Sequence, residues 1–199
     1  MTAKKNISAD HVKKLRNQTG ASVMDCKKAL EKSAGNIDQA VEYLKKSGKE
    51  KAGKKAQRAT GEGVVAAYIH SNKKIGAMVE LHCETDFVAK NSEFRELAYD
   101  IAMHVAAMAP KYLSFEQISE KDKKDYEGIV KEEVASQNKP PDIARKIIEG
   151  KVKKHFEEMS LLEQSFVKNP DVTVGDMIRE KIAKIGENIQ VERMERFEI

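Results

Sequence analysis

The groups in this 199-residue chain that could carry catalysis or hold a metal are five histidines, two cysteines and 32 acidic residues. Chemistry needs such groups to converge as a nucleophile with its base, a carboxylate pair, a metal cage or a phosphate-cradling loop. His11, His70, His82, His104 and His155 are scattered, and no two have the spacing that puts ligands on one helix face. His82 and Glu84 share a face if their segment is a strand, but two ligands fall short of a metal site and read as a polar pair on a strand surface. Gly61-Glu62-Gly63 is too short for a phosphate loop and leads into a strand, not a helix. Cys26 and Cys83 lack metal-type spacing and read as small buried hydrophobes, which fits a reducing compartment. The expectation is a protein that is no enzyme, with no catalytic residue, metal or cofactor.

Composition narrows the class further. Lys and Arg total 36, for a formal net charge of +4, and charged residues of both signs make up 34% of the chain. That is a mildly basic surface, not the footprint of a dedicated nucleic-acid binder. Hydrophobic residues, at 40%, suffice for a buried core. Met1 to Asn6 lead into no apolar signal region, and no apolar run is long enough to span a bilayer. A cytoplasmic, soluble protein with no membrane partner is expected.

The elements that must position any functional side chain follow from periodicity. Ser8 to Gly48 reads as three helices: one with Val12 and Leu15 stopping near Gly20, one capped by Ser22 with a stripe of Val23, Cys26, Ala29 and Leu30, and one capped by Asn36 with Ile37, Ala40, Val41 and Leu44. Lysines with small residues between them, from Lys45 to Arg58, read as a linker, helical in part. Gly63 to Cys83 reads as a hairpin, its second strand alternating Ile75, Ala77, Val79, Leu81 and Cys83 onto one face. A helix from Phe94 to Val105, closed by Pro110, is the candidate cover. Two amphipathic helices follow, around Tyr126 to Val134 and Ile143 to Phe156. Thr173 opens a last helix that Gly186 ends, and Asn188 to Phe197 alternates as a third strand of a small antiparallel sheet. The layout is α+β, with domains at 1–48 (helical module), 49–62 (basic linker) and 63–199 (α+β core and dimerisation domain).

Two segments are peculiar enough to resemble a family. Leu15 to Leu30 (LRNQTGASVMDCKKAL) resembles the N-terminal module of the elongation factor Ts family, itself similar to ubiquitin-associated domains. Glu84 to Asn91 (ETDFVAKN) is similar to that family's hallmark turn, and Leu162 to Val167 and Lys184 to Ile189 match further family motifs in the expected order. The resemblance implies a guanine-nucleotide exchange factor for elongation factor Tu. It implies that Arg16, Val23 and Met24 contact the partner's G domain, and that the turn Thr85, Asp86, Phe87 and Val88 disturbs the partner's Mg²⁺ site, with Phe87 as wedge and Asp86 as acidic contact. By periodicity alone Phe87 reads as an intramolecular staple, and Val23 as helix packing; the resemblance reverses the first. Tyr68-Ile69-His70 resembles a second contact motif of the family.

Longer family members carry a duplicated core, whereas one copy of the hairpin is visible here. A homodimer, two-fold and built through the sheet, is therefore expected. Two other readings stay open: an adaptor binding polypeptides through the helical module, and an RNA-associated ribosomal accessory protein using the lysine-rich stretch. That stretch lacks the interleaved aromatics of single-strand binders, so no direct nucleic-acid partner is expected.

Overall fold

The computed structural model describes residues 7–137 and 139–199, so the expectation for Met1 to Asn6 lies outside it. The elements are α1 (Ala9–Thr19), α2 (Val23–Lys32), α3 (Ile37–Lys55), β1 (Glu62–Ile69), β2 (Ile75–Cys83), α4 (Asp86–Ala89), α5 (Ser92–Met108), α6 (Glu120–Ala135), α7 (Pro141–Met159), β3 (Ser165–Phe166), β4 (Asn169–Thr173), α8 (Val174–Ile185) and β5 (Ile189–Glu198). N-terminal helices precede a three-stranded antiparallel sheet in the order β1-β2-β5, so the fold is α+β as expected. The chain divides into two compact units. One comprises residues up to Val64 with Leu81–Arg95 and Asp176–Gln190; the other comprises Val65–Glu80, Glu96–Gly175 and Val191–Ile199.

In the first unit the three N-terminal helices start where a side-chain oxygen can take an orphan amide. Ser8 Oγ accepts from His11 N–H, Ser22 Oγ from Asp25 N–H and Asn36 Oδ1 from Gln39 N–H, at 3.3, 3.1 and 3.0 Å. Gly20, at φ 67°, stops α1 by adopting the left-handed conformation that a side chain disfavours. Such short helices are marginal alone. They are held by a shared core of Leu15, Cys26, Ala29, Leu30 and Ala40, all fully buried, with Ile7, Val12, Val41 and Leu44 around it. Each of the two leucines contributes about 1.5–3 kcal/mol by burial.

Two features of this unit differ from expectation. Val23 does not join the buried stripe of α2; it is half exposed, because the core takes Cys26, Ala29 and Leu30, and Val23 falls off that phase. The lysine-rich stretch is helical as far as Lys55, continuous with α3 through Gly48. Its lysines act as fasteners within the first unit: Lys49 pairs with Asp176 at 2.8 Å, Lys51 with Asp25 at 2.6 Å, and Lys55 donates to the Gly186 carbonyl. The Lys51 bond holds the Asp25 carboxyl below its usual range. Gly48 is buried, and an added Cβ there would sit 3.3 Å from Ala183 Cβ.

Gly63 in β1 serves a different close approach. A Cβ at that position would fall 2.3 Å from the Leu81 carbonyl oxygen and 3.0 Å from His82 Cα, so the two backbones meet where only glycine fits.

In the second unit α5 lies against the sheet, Tyr99 meeting Tyr68 edge-on at 5.7 Å and the Ala106 carbonyl accepting from Arg196 Nε at 2.9 Å. Helices α6 and α7 pack on each other through buried Val130, Val134 and Phe156, with Tyr126 stacked on His155 at 3.7 Å. Ile129 and Ile143 of the expected apolar stripes are exposed. The short β3-β4 pair, Ser165 opposite Thr173 and Phe166 opposite Asn169, was not expected. Strands of two and five residues are too short to leave a periodic signal.

That pair is tied in by a buried histidine. His104 Nδ1 accepts from Val167 N–H at 3.2 Å, which leaves Nε2 to donate to Gln164 Oε1 at 2.9 Å; Gln164 Nε2 in turn donates to the Glu158 carbonyl at 2.7 Å. The family-like segment Leu162–Val167 thus serves as an internal junction. Burial depresses the His104 pKa, while the Gln164 bond opposes that shift. The unfolded chain then binds a proton near pH 6.5 that the folded chain refuses. The contribution of His104 to stability is therefore present above about pH 6.5 and is lost as the pH falls below it toward the depressed pKa of the folded chain. The thermal midpoint should drop between about pH 7.5 and 5.5 by more in the unaltered protein than in His104→Gln, as scanning calorimetry would measure.

Candidate functional site

The end of β2 delivers the chain into a hook of four helical residues, Asp86–Ala89, preceded by Glu84 and Thr85. Successive residues of a helix point about 100° apart, so a single turn cannot turn every apolar side chain inward. Val88 and Ala89 take the buried positions, and Phe87 is left 82% exposed. The reading of Phe87 as an intramolecular staple is overturned by this phase. A phenylalanine held in water forgoes about 1.5–3 kcal/mol of burial. The backbone around it is firmly anchored: Cys83 Sγ donates to the Thr85 carbonyl at 3.2 Å and Arg95 Nε to the Ala89 carbonyl at 3.0 Å. Burial pushes the Cys83 thiol up, as it does that of Cys26.

Asp86 opens α4 and pairs with Lys90 one turn on, at 2.6 Å. The Lys90 hydrogen bond holds the Asp86 carboxyl below its usual range. Thr85 stands at the N-cap, yet its side chain caps nothing; its hydroxyl donates instead to Glu187 Oε1 at 2.7 Å. Glu187 Oε2 also accepts the backbone N–H of Glu84 and of Thr85, at 3.1 and 3.0 Å. In return Glu84 Oε1 accepts the Asn188 N–H at 2.7 Å, and the buried Asn188 amide donates to the Arg58 carbonyl at 2.9 Å. Gly186, at φ 93°, ends α8 and turns the chain so that these two residues face the hook.

Arg16, Val23 and Met24 lie elsewhere in the same unit. Arg16 is exposed on α1, while Val23 and Met24 open α2 just after its Ser22 cap, 50% and 73% exposed. His70 belongs to the second unit, exposed at the hairpin tip with Nδ1 3.1 Å from the Tyr68 hydroxyl. Reasoning from sequence missed Glu84, Glu187 and Asn188. All three stood inside quoted motifs, but bonds spanning about a hundred residues leave no local signal of what they hold.

Among the described residues, no group of three or more His, Cys, Asp or Glu is gathered as a metal would need, and no helix is long and apolar enough to cross a membrane. What the first unit offers is a set of apolar side chains, Val23, Met24 and Phe87, held outward on braced backbone.

The family model for Elongation factor TS matches residues 3–183. Elongation factor Ts of Thermosipho melanesiensis is 52% identical over 193 residues, covering 97% of this chain and 98% of the relative. That of Thermodesulfovibrio yellowstonii is 50% identical over 97% and 96%, and that of Herpetosiphon aurantiacus 44% over 98% of each. The chain belongs to the elongation factor Ts family, and its role is that of a translation elongation factor.

The Lys90 pairing can be tested directly. Lys90→Met should raise the Asp86 pKa toward its ordinary value near 3.8, because the main group favouring the ionised form is gone. A carboxyl-carbon NMR titration of the two proteins measures the difference.

Proposed function

We propose that this protein is the guanine-nucleotide exchange factor of elongation factor Tu, working in the cytoplasm without bond chemistry of its own. The observation that carries the reading is Phe87, exposed beside a buried Val88 on a braced turn. A GTPase holds GDP through backbone donors and a phosphate-bound Mg²⁺, so displacing the elements around the metal weakens the nucleotide most. A rigid ring entering between those elements gains the burial it forgoes in water, and the Asp86 carboxylate contributes an acidic contact near the cation site. Thr85 and Val88 fix the backbone on either side. Arg16, Val23 and Met24 supply a second contact through the G domain, and the hairpin tip with His70 a third, weaker one.

The energetics need only differential affinity. The factor binds nucleotide-free partner more tightly than loaded partner, and linkage makes nucleotide weaken the factor by the same ratio. Exchange then runs in either direction, with the nucleotide supply setting the net outcome.

A homodimer is part of the same reading. The sheet face opposite α5 carries exposed Val65, Ile69, Met78 and Phe197 in the second unit, beside an Arg193–Glu80 pair at 3.5 Å. An apolar face holding charges of both signs, Arg193 with Glu80 and Glu195, is self-complementary under a two-fold axis.

Phe87→Ala should slow GDP release from elongation factor Tu by about 10- to 100-fold while leaving the fold intact. Asp86→Ala should cost less than about fivefold, since its carboxylate is solvated. Stopped-flow release of labelled GDP reads both, and release at the unaltered rate by Phe87→Ala would remove the wedge. Light scattering should give twice the chain mass for the unaltered protein and a single chain mass for Met78→Lys. A monomer in the unaltered protein would end the dimer proposal.

A further inference from the structure

We propose that Glu187 is a positioning residue for exchange, setting the outward geometry of Phe87 before any partner arrives. The inference rests on the exchange function proposed above. Helix α4 is four residues long, far below the length at which a helix sustains itself, and it has no side-chain cap of its own. Its N-terminal end is instead bound from outside, by one carboxylate receiving three donors: the N–H of Glu84, the N–H of Thr85 and the Thr85 hydroxyl. Charge-assisted bonds of this kind are roughly twice as strong as neutral ones. The bond in the opposite sense, from Asn188 N–H to Glu84, makes the two segments clasp each other, so neither can rotate without breaking the other's contacts.

The exposed ring has few contacts of its own to fix it, and its direction comes from the backbone that carries it. Removing Glu187 frees the entry into α4 and spreads Phe87 over several orientations. The partner must then select among them, which costs rate at the step where the ring is used.

The chain has no tryptophan, so Phe87→Trp installs a single indole at the hook, which red-edge excitation selects over the five tyrosines. In that background Glu187→Ala should lower the residual time-resolved anisotropy of the introduced indole, without any partner present. Glu187→Gln should restore it, because the amide oxygen can take both N–H groups while its NH₂ meets the Thr85 hydroxyl. With Phe87 retained, Glu187→Ala should slow GDP release by about tenfold, the factor equal to about 1.4 kcal/mol. It should slow Phe87→Ala no further, because the two act in series. Calorimetry checks the global fold, and should Glu187→Ala prove unfolded, Thr85→Val removes one of the three bonds and should give a smaller effect of the same sign. Unchanged indole anisotropy in a folded Glu187→Ala, or losses that add across the double mutant, would overturn the proposal. Normal release by Phe87→Ala would sink the exchange reading alone, leaving the anisotropy to decide the role of Glu187.

Discussion

A carboxylate exchange across about a hundred residues governs this structure: Glu187 takes the amides at the start of the hook, and Glu84 takes the amide that follows Glu187. It fixes the entry to the hook, beside the Cys83 and Arg95 bonds that hold the Thr85 and Ala89 carbonyls, because a four-residue helix has too few internal bonds to define its own direction. The constraint is non-local. The unit containing the hook is gathered from three separate stretches of chain, the last of them Asp176–Gln190, so the hook cannot reach its final form until the C-terminal part is in place. Contacts of such long range are formed late, after the entropy of closing a long loop has been met.

The same unit uses charge as a fastener. Lys49, Lys51 and Lys55 are spaced along α3 so that each reaches a different element: the start of α8, α2 and the Gly186 turn that precedes Glu187. Individually such exposed pairs contribute little. Here they add direction, since each bonds a group whose position matters to the clasp or to the helical module. A mild excess of lysine, which in sequence resembled a weak nucleic-acid signal, is largely committed to internal pairing along this helix.

How far the chain could be read in advance depended on range. Caps and stops are settled within three or four residues, and Ser22, Asn36, Gly20 and Gly186 could all be assigned from their neighbours. The alternation of β2 and the helical period of α5 were equally plain, because each element buries one face. The extension of α3 was obscure because Lys, Ala and Gly satisfy both a solvated spacer and a helix whose fixing partners are distant. Val23 and Phe87 both misled by periodicity, for one reason: each stands in the first turn of a helix, where neighbours further along can take the inward phase instead. The resemblance to a family pointed Phe87 outward, and nothing local could have done so. Glu187 was quoted as part of a motif, but its bonds to Glu84 and Thr85 could be known only once the chain was folded.

Gly63 carries a consequence of another kind. With the Leu81 carbonyl only 2.3 Å from where a Cβ would lie, the obstacle is backbone, which has no rotamer to yield. Every amino acid reachable from a glycine codon by one base change carries at least that carbon. Position 63 therefore has no tolerated amino-acid replacement one base away, and the pairing of the start of β1 with the end of β2, just before the hook, is closed to gradual drift.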